Sequence, residues 1–398
     1  MNEQSTTVNT AADLLSIVRD LEPLLLAHAR TADDDRKMAP EVMSALIDSG
    51  LLKMWVPRAL GGMELPPNRA LGVMEALARI DPATGWVVSN CVFISMLYQF
   101  LPPEALEDLL GKPDIVTCGS FTPPGSATEN DHGYLVSGKW AFGSAIDYAT
   151  SLAVLTLLTD DDGPVLDENE APVSVAVFLD PNDVTVLDTW YTLGLRATGS
   201  TDYEVVDLEV PRNRAYVVGP WEPIEGGPFA GPLYRLGLII DAVRIAQVGV
   251  GIAQGALEDF VDLAAAKTPA YMAVLTADRA TVQERVARAQ ALIQAGRHTL
   301  AGAVTEAWAS VQDGPRIAGR DLVPMGLAAS FALDASVQAV DLLYESAGST
   351  AFRDEAPVQG RFRDLQTLRQ NAIASWSRYE SLGKFILGRE SDWPWHQL

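Results

Sequence analysis

Cysteine and histidine are scarce in this 398-residue chain: two cysteines, Cys91 and Cys118, and four histidines, His28, His132, His298 and His396. Two cysteines allow neither a disulfide framework nor CxxC metal spacing. The histidines have no HxxxH or HExxH spacing, so no metal site is expected. Basic residues are also in deficit, 29 Lys+Arg against 52 Asp+Glu, which leaves a formal net charge of −23. Such a surface repels nucleic acid and anionic lipid. No run approaches the ~18 apolar residues of a membrane span. The polar start "MNEQSTTVNTAADLL" lacks the basic and apolar regions of a signal peptide. These absences predict a soluble, cytoplasmic protein without nucleic-acid or membrane partners.

Hydrophobic residues make up 48% of the chain, enough for a globular protein of two or three domains. Three textures follow one another. Residues 1–113 read as helical: Leu14, Val18, Leu21, Leu25 and His28 fall on one stripe, and "APEVMSALIDSGLL" runs from a proline to Gly50. Residues 114–218 are short β-branched runs such as "SLAVLTLL" and "VSVAVFL", broken by Gly, Pro, Asp and Asn. They predict a small antiparallel barrel or sandwich, with "TDDDGPVLDENEAP" as an exposed acidic hairpin loop. Residues 219–398 return to helix, and "RFRDLQTLRQNAIAS", Arg361 to Ser375, reads as a helix near the end. The fold class is α+β: an N-terminal helical domain, a central β domain and a C-terminal four-helix bundle.

The β segment offers groups suited to a flat, amphipathic ring. Such a ring needs an apolar wall and a few hydrogen bonds at its edge. "FTPPG" supplies a rigid turn with the Thr122 hydroxyl, and "KWAFGS" supplies Trp140, Phe142 and Ser144. Alternation along a strand points Trp140 and Phe142 the same way; read alone, the two also fit ordinary core aromatics.

The order helix–β–helix, with "LLKMWVPRALGGMELPP", "SFTPPGSATENDHGYLVSGKWAFGSAIDYATSLAVL" and "LGLRATGSTDYEVVDLEVPRNRAY" in sequence, resembles the acyl-CoA dehydrogenase fold superfamily over nearly the whole chain. The resemblance implies a flavin. It places Thr122 and Thr128 at hydrogen-bonding positions, Trp140 at the packing aromatic, and Phe142 and Ser144 beside it. Arg196, Ser200 and Thr201 fall in the loop facing flavin and substrate. The dehydrogenases of this superfamily take an α-proton with a glutamate, which is needed because that proton is so weakly acidic. The two matching positions here are Val243 and Ala372.

The segments "APEVMSALIDSGLLKMWVPRALGGMELPP" and "ARIDPATGWVVSNCVFISMLYQFLPPEA" resemble instead the two-component flavin-dependent monooxygenases, such as the oxygenase of p-hydroxyphenylacetate hydroxylation and the dibenzothiophene monooxygenases. That branch takes reduced FMN or FAD from a separate reductase and forms a C4a-hydroperoxide with O2. The resemblance implies oxygenation of a small, largely apolar (hetero)aromatic, sulfur or nitrogen substrate. A desaturase with a displaced base and a non-catalytic flavin binder are the alternatives. Where the branch often carries histidine, this chain has Ile94, Gln366 and Asn371. Amides hydrogen-bond but take no proton at neutral pH, so a substrate that needs no deprotonation is expected. Asp147, Tyr148 and His132 are weak candidates for a replacement base. The expected catalytic set is Gln366, Asn371 and Ser200. Trp86, Cys91, Phe93, Ile94 and Tyr98 are the expected pocket, with core packing as their other reading. Arg244 is expected to meet a flavin phosphate or an acidic partner. "AGST", Ala347 to Thr350, is where backbone N–H groups would approach a cofactor tail across a subunit interface, which implies a homotetramer built as a dimer of dimers.

Overall fold

The computed structural model describes residues 11–219, 226–393 and 396. The first ten residues of the polar N-terminal stretch lie outside them. The first helical segment contains α1 (Ala11–Asp35), α2 (Pro40–Asp48), α3 (Pro67–Ile80), α4 (Pro82–Ile94) and α5 (Pro103–Leu110). The proline starts are physical: a missing N–H costs nothing in the first turn, and φ is already helical. At α4 the start is reinforced by Asp81, whose carboxylate accepts from the Thr84 N–H at 2.8 Å and the Thr84 hydroxyl at 2.6 Å. Of the α4 residues only Trp86 is not fully buried, so this helix runs through the middle of the molecule.

The strands are β1 (Thr117–Glu129), β2 (Gly133–Gly143), β3 (Ser151–Asp160), β4 (Gly163–Pro164), β5 (Ser174–Leu179), β6 (Thr185–Val186), β7 (Thr201–Pro211) and β8 (Ala215–Val217). They form one sheet in the order β6-β7-β2-β1-β3-β5-β8, with β4 paired to β3. The sheet is mixed rather than antiparallel throughout, because β1 and β3 pair in parallel. Alternation splits the strand residues between two cores. Leu152, Val154, Val175, Val177 and Leu179 join Trp140 and Tyr203 inside the β domain. Ala153, Ala176 and Phe178 turn to the helices.

The second helical segment contains α6 (Ile239–Ala266), α7 (Ala280–Ser310), α8 (Val323–Ala347), α9 (Pro357–Leu368) and α10 (Arg378–Ile386). By length and composition α6 and the 319–350 segment would pass as membrane spans, contrary to the sequence expectation; their apolar windows are 94% and 67% buried inside the fold. Helix α9 stops at Leu368, short of the predicted Ser375. Beyond it the Asn371 carboxamide accepts the Ile373 N–H at 3.0 Å, a local turn that competes with helix. Arg361 of α9 binds the Ala78 and Ile80 carbonyls at the end of α3 and pairs with Asp259 of α6 at 3.0 Å. It therefore fastens α9 where the N-terminal helices meet α6.

Candidate functional site

The polar groups gathered between α4, the end of β2 and the 193–201 loop form a continuous hydrogen-bonded chain. The Trp86 Nε1–H donates to Ser144 Oγ at 3.0 Å. Ser144 and Ser200 hydroxyls lie 2.7 Å apart, and Ser200 and Thr198 hydroxyls 2.6 Å apart. The Thr198 hydroxyl donates to the Leu195 carbonyl at 2.8 Å. The three hydroxyl residues are only 1–3% exposed, so bulk water does not compete for these bonds.

The loop that carries this chain is held in place by α9. Gly194 lies so close to α9 that an added Cβ would stand 2.3 Å from the Arg363 carbonyl. Leu195 has φ 52°, left-handed and strained for a branched residue. Its N–H donates to Asp364 Oδ1 at 2.6 Å. Arg363 reaches the Leu193 carbonyl at 3.0 Å and Asp33 at 3.2 Å. Desolvation pushes the Asp364 carboxyl up to about 7; the Leu195 N–H opposes the rise, and the Asp33 and Asp81 charges add to it.

Behind Trp86 sits a buried ion pair. Asp241 and Arg244, one turn apart on α6, are 2.5 Å apart and 3–4% exposed. Burial pushes the Asp241 carboxyl up, against the pull of the guanidinium. Arg244 lies 5.3 Å from the Trp86 ring and 4.9 Å from that of Phe93, within cation–π range. It also donates to Ser89 Oγ and Asn90 Oδ1, each at 3.3 Å. Its acidic partner is thus Asp241 of the same helix, while its Nε makes no hydrogen bond.

The structure unites some of the expected site residues and separates others. Trp86, Ser144 and Ser200 meet. Trp140 and Phe142 do not share a wall, because the β2–β7 register shifts between Trp140 and Gly143 and Phe142 has φ 71°. Trp140 is fully buried, donates to the Leu155 carbonyl at 2.8 Å and stacks on Tyr203. Phe142 is 55% exposed and packs edge-on to Trp190. Thr122 is exposed, and the Thr128 hydroxyl pairs with that of Thr159 on β3 at 3.0 Å. Arg196 binds the Asp33 carbonyl at 3.1 Å, and the Thr201 hydroxyl donates to the Leu187 carbonyl.

Cys91, Ile94 and Tyr98 are packed into the core. Burial pushes the Cys91 thiol up to about 12, and the Tyr98 hydroxyl is engaged by Ser151 at 2.9 Å. Gln366 donates to Asp341 at 3.1 Å and accepts from Arg369 at 3.2 Å. The candidate bases are engaged elsewhere: Asp147 pairs with Lys37 at 3.0 Å, and Tyr148 donates to the Met38 carbonyl at 2.6 Å. His132 lies in the β1–β2 turn, with its N–H on Asn130. Val243 is fully buried, and Ala372 is exposed. Sequence reasoning missed Thr198, Leu195, Asp241 and the anchoring role of Asp364. The pattern of small hydroxyls in "RATGST" was the one available signal for Thr198.

A second polar site lies at the far end of the bundle. A cavity of about 210 Å³ is lined by Lys267, Arg279, Arg285 and the Glu345–Ser349 segment. The Lys267 ammonium donates to the Ala347 carbonyl at 2.6 Å. Thr276 lines the same cavity, and its hydroxyl is buried without a hydrogen-bond partner. Among the described residues no group of three or more His, Cys, Asp or Glu side chains could hold a metal ion.

Comparison with known proteins agrees with this architecture. Residues 16–112 match the acyl-CoA dehydrogenase N-terminal domain and residues 243–376 the acyl-CoA dehydrogenase C-terminal domain, together more than half of the chain. A pigment production hydroxylase of Rhodococcus sp. is 29% identical over 95% of this chain and 97% of its own. The flavin-dependent monooxygenase oxygenase subunit HsaA of Mycobacterium tuberculosis is 29% identical over 91% of this chain and 92% of its own. Its crystal structure superposes with a TM-score of 0.87, at 26% identity, covering 97% of this chain and all of that one. XiaF from Streptomyces sp., in complex with FADH2 and glycerol, gives a TM-score of 0.89 at 25% identity, covering 96% and 97%. The chain belongs to the acyl-CoA dehydrogenase family, and its relatives there are flavin-dependent monooxygenases.

Proposed function

We propose that this protein is the oxygenase component of a two-component flavin monooxygenase. It takes reduced FMN or FAD from a separate reductase and uses O2 to oxygenate a small, largely apolar (hetero)aromatic, sulfur or nitrogen substrate. The observation that carries this reading is the pair Val243 and Ala372: neither position where a dehydrogenase of this fold keeps its glutamate holds a base. Bound reduced flavin supplies two electrons, so that one oxygen atom of O2 goes to substrate and the other leaves as water.

The residues present fit such a ring. The Ser144–Ser200–Thr198 hydroxyls supply edge hydrogen bonds in a dry setting, and Trp86 and Phe142 supply aromatic surface. Arg244 and Asp241 hold Trp86 from behind without placing net charge beside an apolar substrate. Phe142, Tyr191 and Leu193 are exposed and offer further apolar surface.

The basic cavity at Lys267, Arg285 and Ser346–Ser349 suits a diphosphate or phosphate tail. In a dimer of dimers it would receive the tail of a flavin held by the neighbouring subunit. The exposed apolar residues Tyr271, Met272, Val274 and Phe352 support burial of this end in an assembly.

The test separates the reading from acyl-CoA dehydrogenation. The purified protein is titrated anaerobically with reduced FMN and FAD, and a separate sample reconstituted with oxidised FAD is treated with a panel of acyl-CoA thioesters. Binding of reduced flavin, with no bleaching by any thioester, is expected. Bleaching by an acyl-CoA would overturn the proposal.

A further inference from the structure

The end of α1 is built against two local preferences. Its last turn holds Asp33, Asp34 and Asp35 and no basic residue, although the partial negative charge of a helix C-terminus favours cations there. The next residue, Arg36, has φ 57°, a left-handed conformation that suits glycine and strains an arginine. Asp34 finds Arg30 on its own helix at 3.0 Å. Asp33 and Arg36 instead reach one distant segment, residues 188–196. Arg36 lies 2.7 Å from Asp188 Oδ1, donates to the Trp190 carbonyl at 3.3 Å, and stacks 3.8 Å from the centre of the Tyr191 ring. The Tyr191 hydroxyl closes this group by donating to Asp188 at 2.6 Å. The Asp33 carboxylate lies 3.8 Å from Arg196 and 3.2 Å from Arg363.

The segment they reach is held as a strap. Among the described residues, the backbone of 190–194 forms no hydrogen bond with the backbone of another element. Two guanidinium groups grip it by its carbonyls: Arg36, just past α1, on Trp190, and Arg363, on α9, on Leu193. From inside, the Trp190 indole N–H donates to the Leu195 and Arg196 carbonyls at 3.2 and 3.1 Å. Its outer side chains are loose, with Tyr191 68% and Leu193 58% exposed. The residues on either side are fixed: Thr189 by Thr201 and Asp202 of β7, and Leu195 by Asp364. A segment with few buried contacts between fixed ends opens locally, without unfolding its surroundings.

We propose that residues 190–194 are a latched gate, with Arg36 and Arg363 as positioning residues that hold it shut from the two helical segments. The inference rests on the flavin reading above, because the strap runs directly into the loop that carries Thr198 and Ser200. Its Trp190 ring packs edge-on to Phe142, which leads into Ser144 at the end of β2. Opening lifts Trp190 off Phe142 and frees that aromatic surface for an incoming ring. Closing restores both guanidinium grips. The two local costs at the end of α1 are then accounted for: Asp33 and Arg36 stand where their own helix disfavours them because they fasten the strap. The latch is ionic and lies near the surface, so rising salt loosens it.

The test compares wild type with Arg36→Gly and Asp188→Asn. Glycine relieves the strained backbone while removing the guanidinium, so loosening of the strap is separated from damage to α1. In the first arm, without flavin, the protein is digested briefly with chymotrypsin and the cuts are located by mass spectrometry. Cleavage after Trp190, Tyr191 or Leu193 follows the population of the open strap. It should be about tenfold faster in Arg36→Gly, which loses two hydrogen bonds from a charged group, with no fall in the urea midpoint. Asp188→Asn should change in the same direction by less, and it decides if Arg36→Gly does not fold. In the second arm, reduced FMN is mixed anaerobically with each protein in a stopped-flow instrument. A gate that closes alike over the empty and the filled site predicts that the association and dissociation rates rise together, leaving Kd unchanged. Unchanged cleavage in the variants, or a faster dissociation with an unaltered association rate, overturns the gate and leaves the flavin reading standing. A wild type that binds no reduced flavin overturns both.

Discussion

Asp364 Oδ1 accepts the backbone N–H of Leu195 at 2.6 Å, joining the last long helix of the fold to a strained loop from the β domain. The bond crosses 169 residues of sequence and anchors the loop that carries the buried hydroxyls of Thr198 and Ser200. It ties α9, the helix whose Gln366 stands where the sequence resemblance implied histidine, to the loop of the hydroxyl chain.

This carboxyl has a consequence for stability. Its folded pKa is raised to about 7, mainly by desolvation, whereas an unfolded aspartate titrates near 3.9. Between those values the folded state holds more protons than the unfolded one, so Asp364 makes stability fall as pH rises from about 4 to about 7 and level off above. Asp364→Asn should remove that component. Urea midpoints measured from pH 4 to 8 check it: the wild type should lose stability relative to the variant across this window and not beyond it.

The buried Asp241–Arg244 pair predicts an asymmetry. Removing one partner strands a charge with no solvent, at a cost of about 3–5 kcal/mol, whereas replacing both with apolar groups of similar size is close to neutral. Arg244→Met alone should therefore lower the denaturation midpoint sharply, and Asp241→Leu with Arg244→Met should recover most of it. Equal losses for single and double variants would contradict the burial seen here.

Trp140 supplies a packing prediction. A Cβ at Gly138 would stand 2.7 Å from the Trp140 ring. Gly138→Ala should cost about 1–3 kcal/mol of stability through overpacking, read by chemical denaturation. The indole cannot retreat, because its N–H is fixed on the Leu155 carbonyl.

The cavity at Lys267, proposed above for a flavin tail, carries its own prediction. Lys267→Ala should weaken reduced FAD more than reduced FMN if the longer tail reaches Ala347–Ser349. Titration of both flavins, with light scattering to follow the assembly, checks this. Equal weakening of the two would remove the cavity from the cofactor site.

Some of this was legible in the sequence. The helical stripe of Leu14, Val18 and Leu25 and the stop at Gly50 follow from periodicity and backbone chemistry, and both appear in the structure. The parallel pairing of β1 with β3 was not legible, since strand runs show alternation but not partners. Phe142 escaped because a positive φ in a bulge breaks the alternation that placed it beside Trp140. The end of α9 at Leu368 escaped because the Asn371 turn is local hydrogen bonding inside an otherwise helical composition. The Trp86 to Leu195 chain could not be read at all: its members are 58, 56 and 2 residues apart in successive steps, and only the fold brings them together.

The most direct measurement supplies the protein with reduced flavin, isotopically labelled O2 and a panel of indoles, thioethers and amines, then follows label by mass spectrometry. The account predicts one labelled oxygen atom in a product that forms only with the protein present. Reduced flavin consumed with all of the label in peroxide and water, across the whole panel, would contradict it.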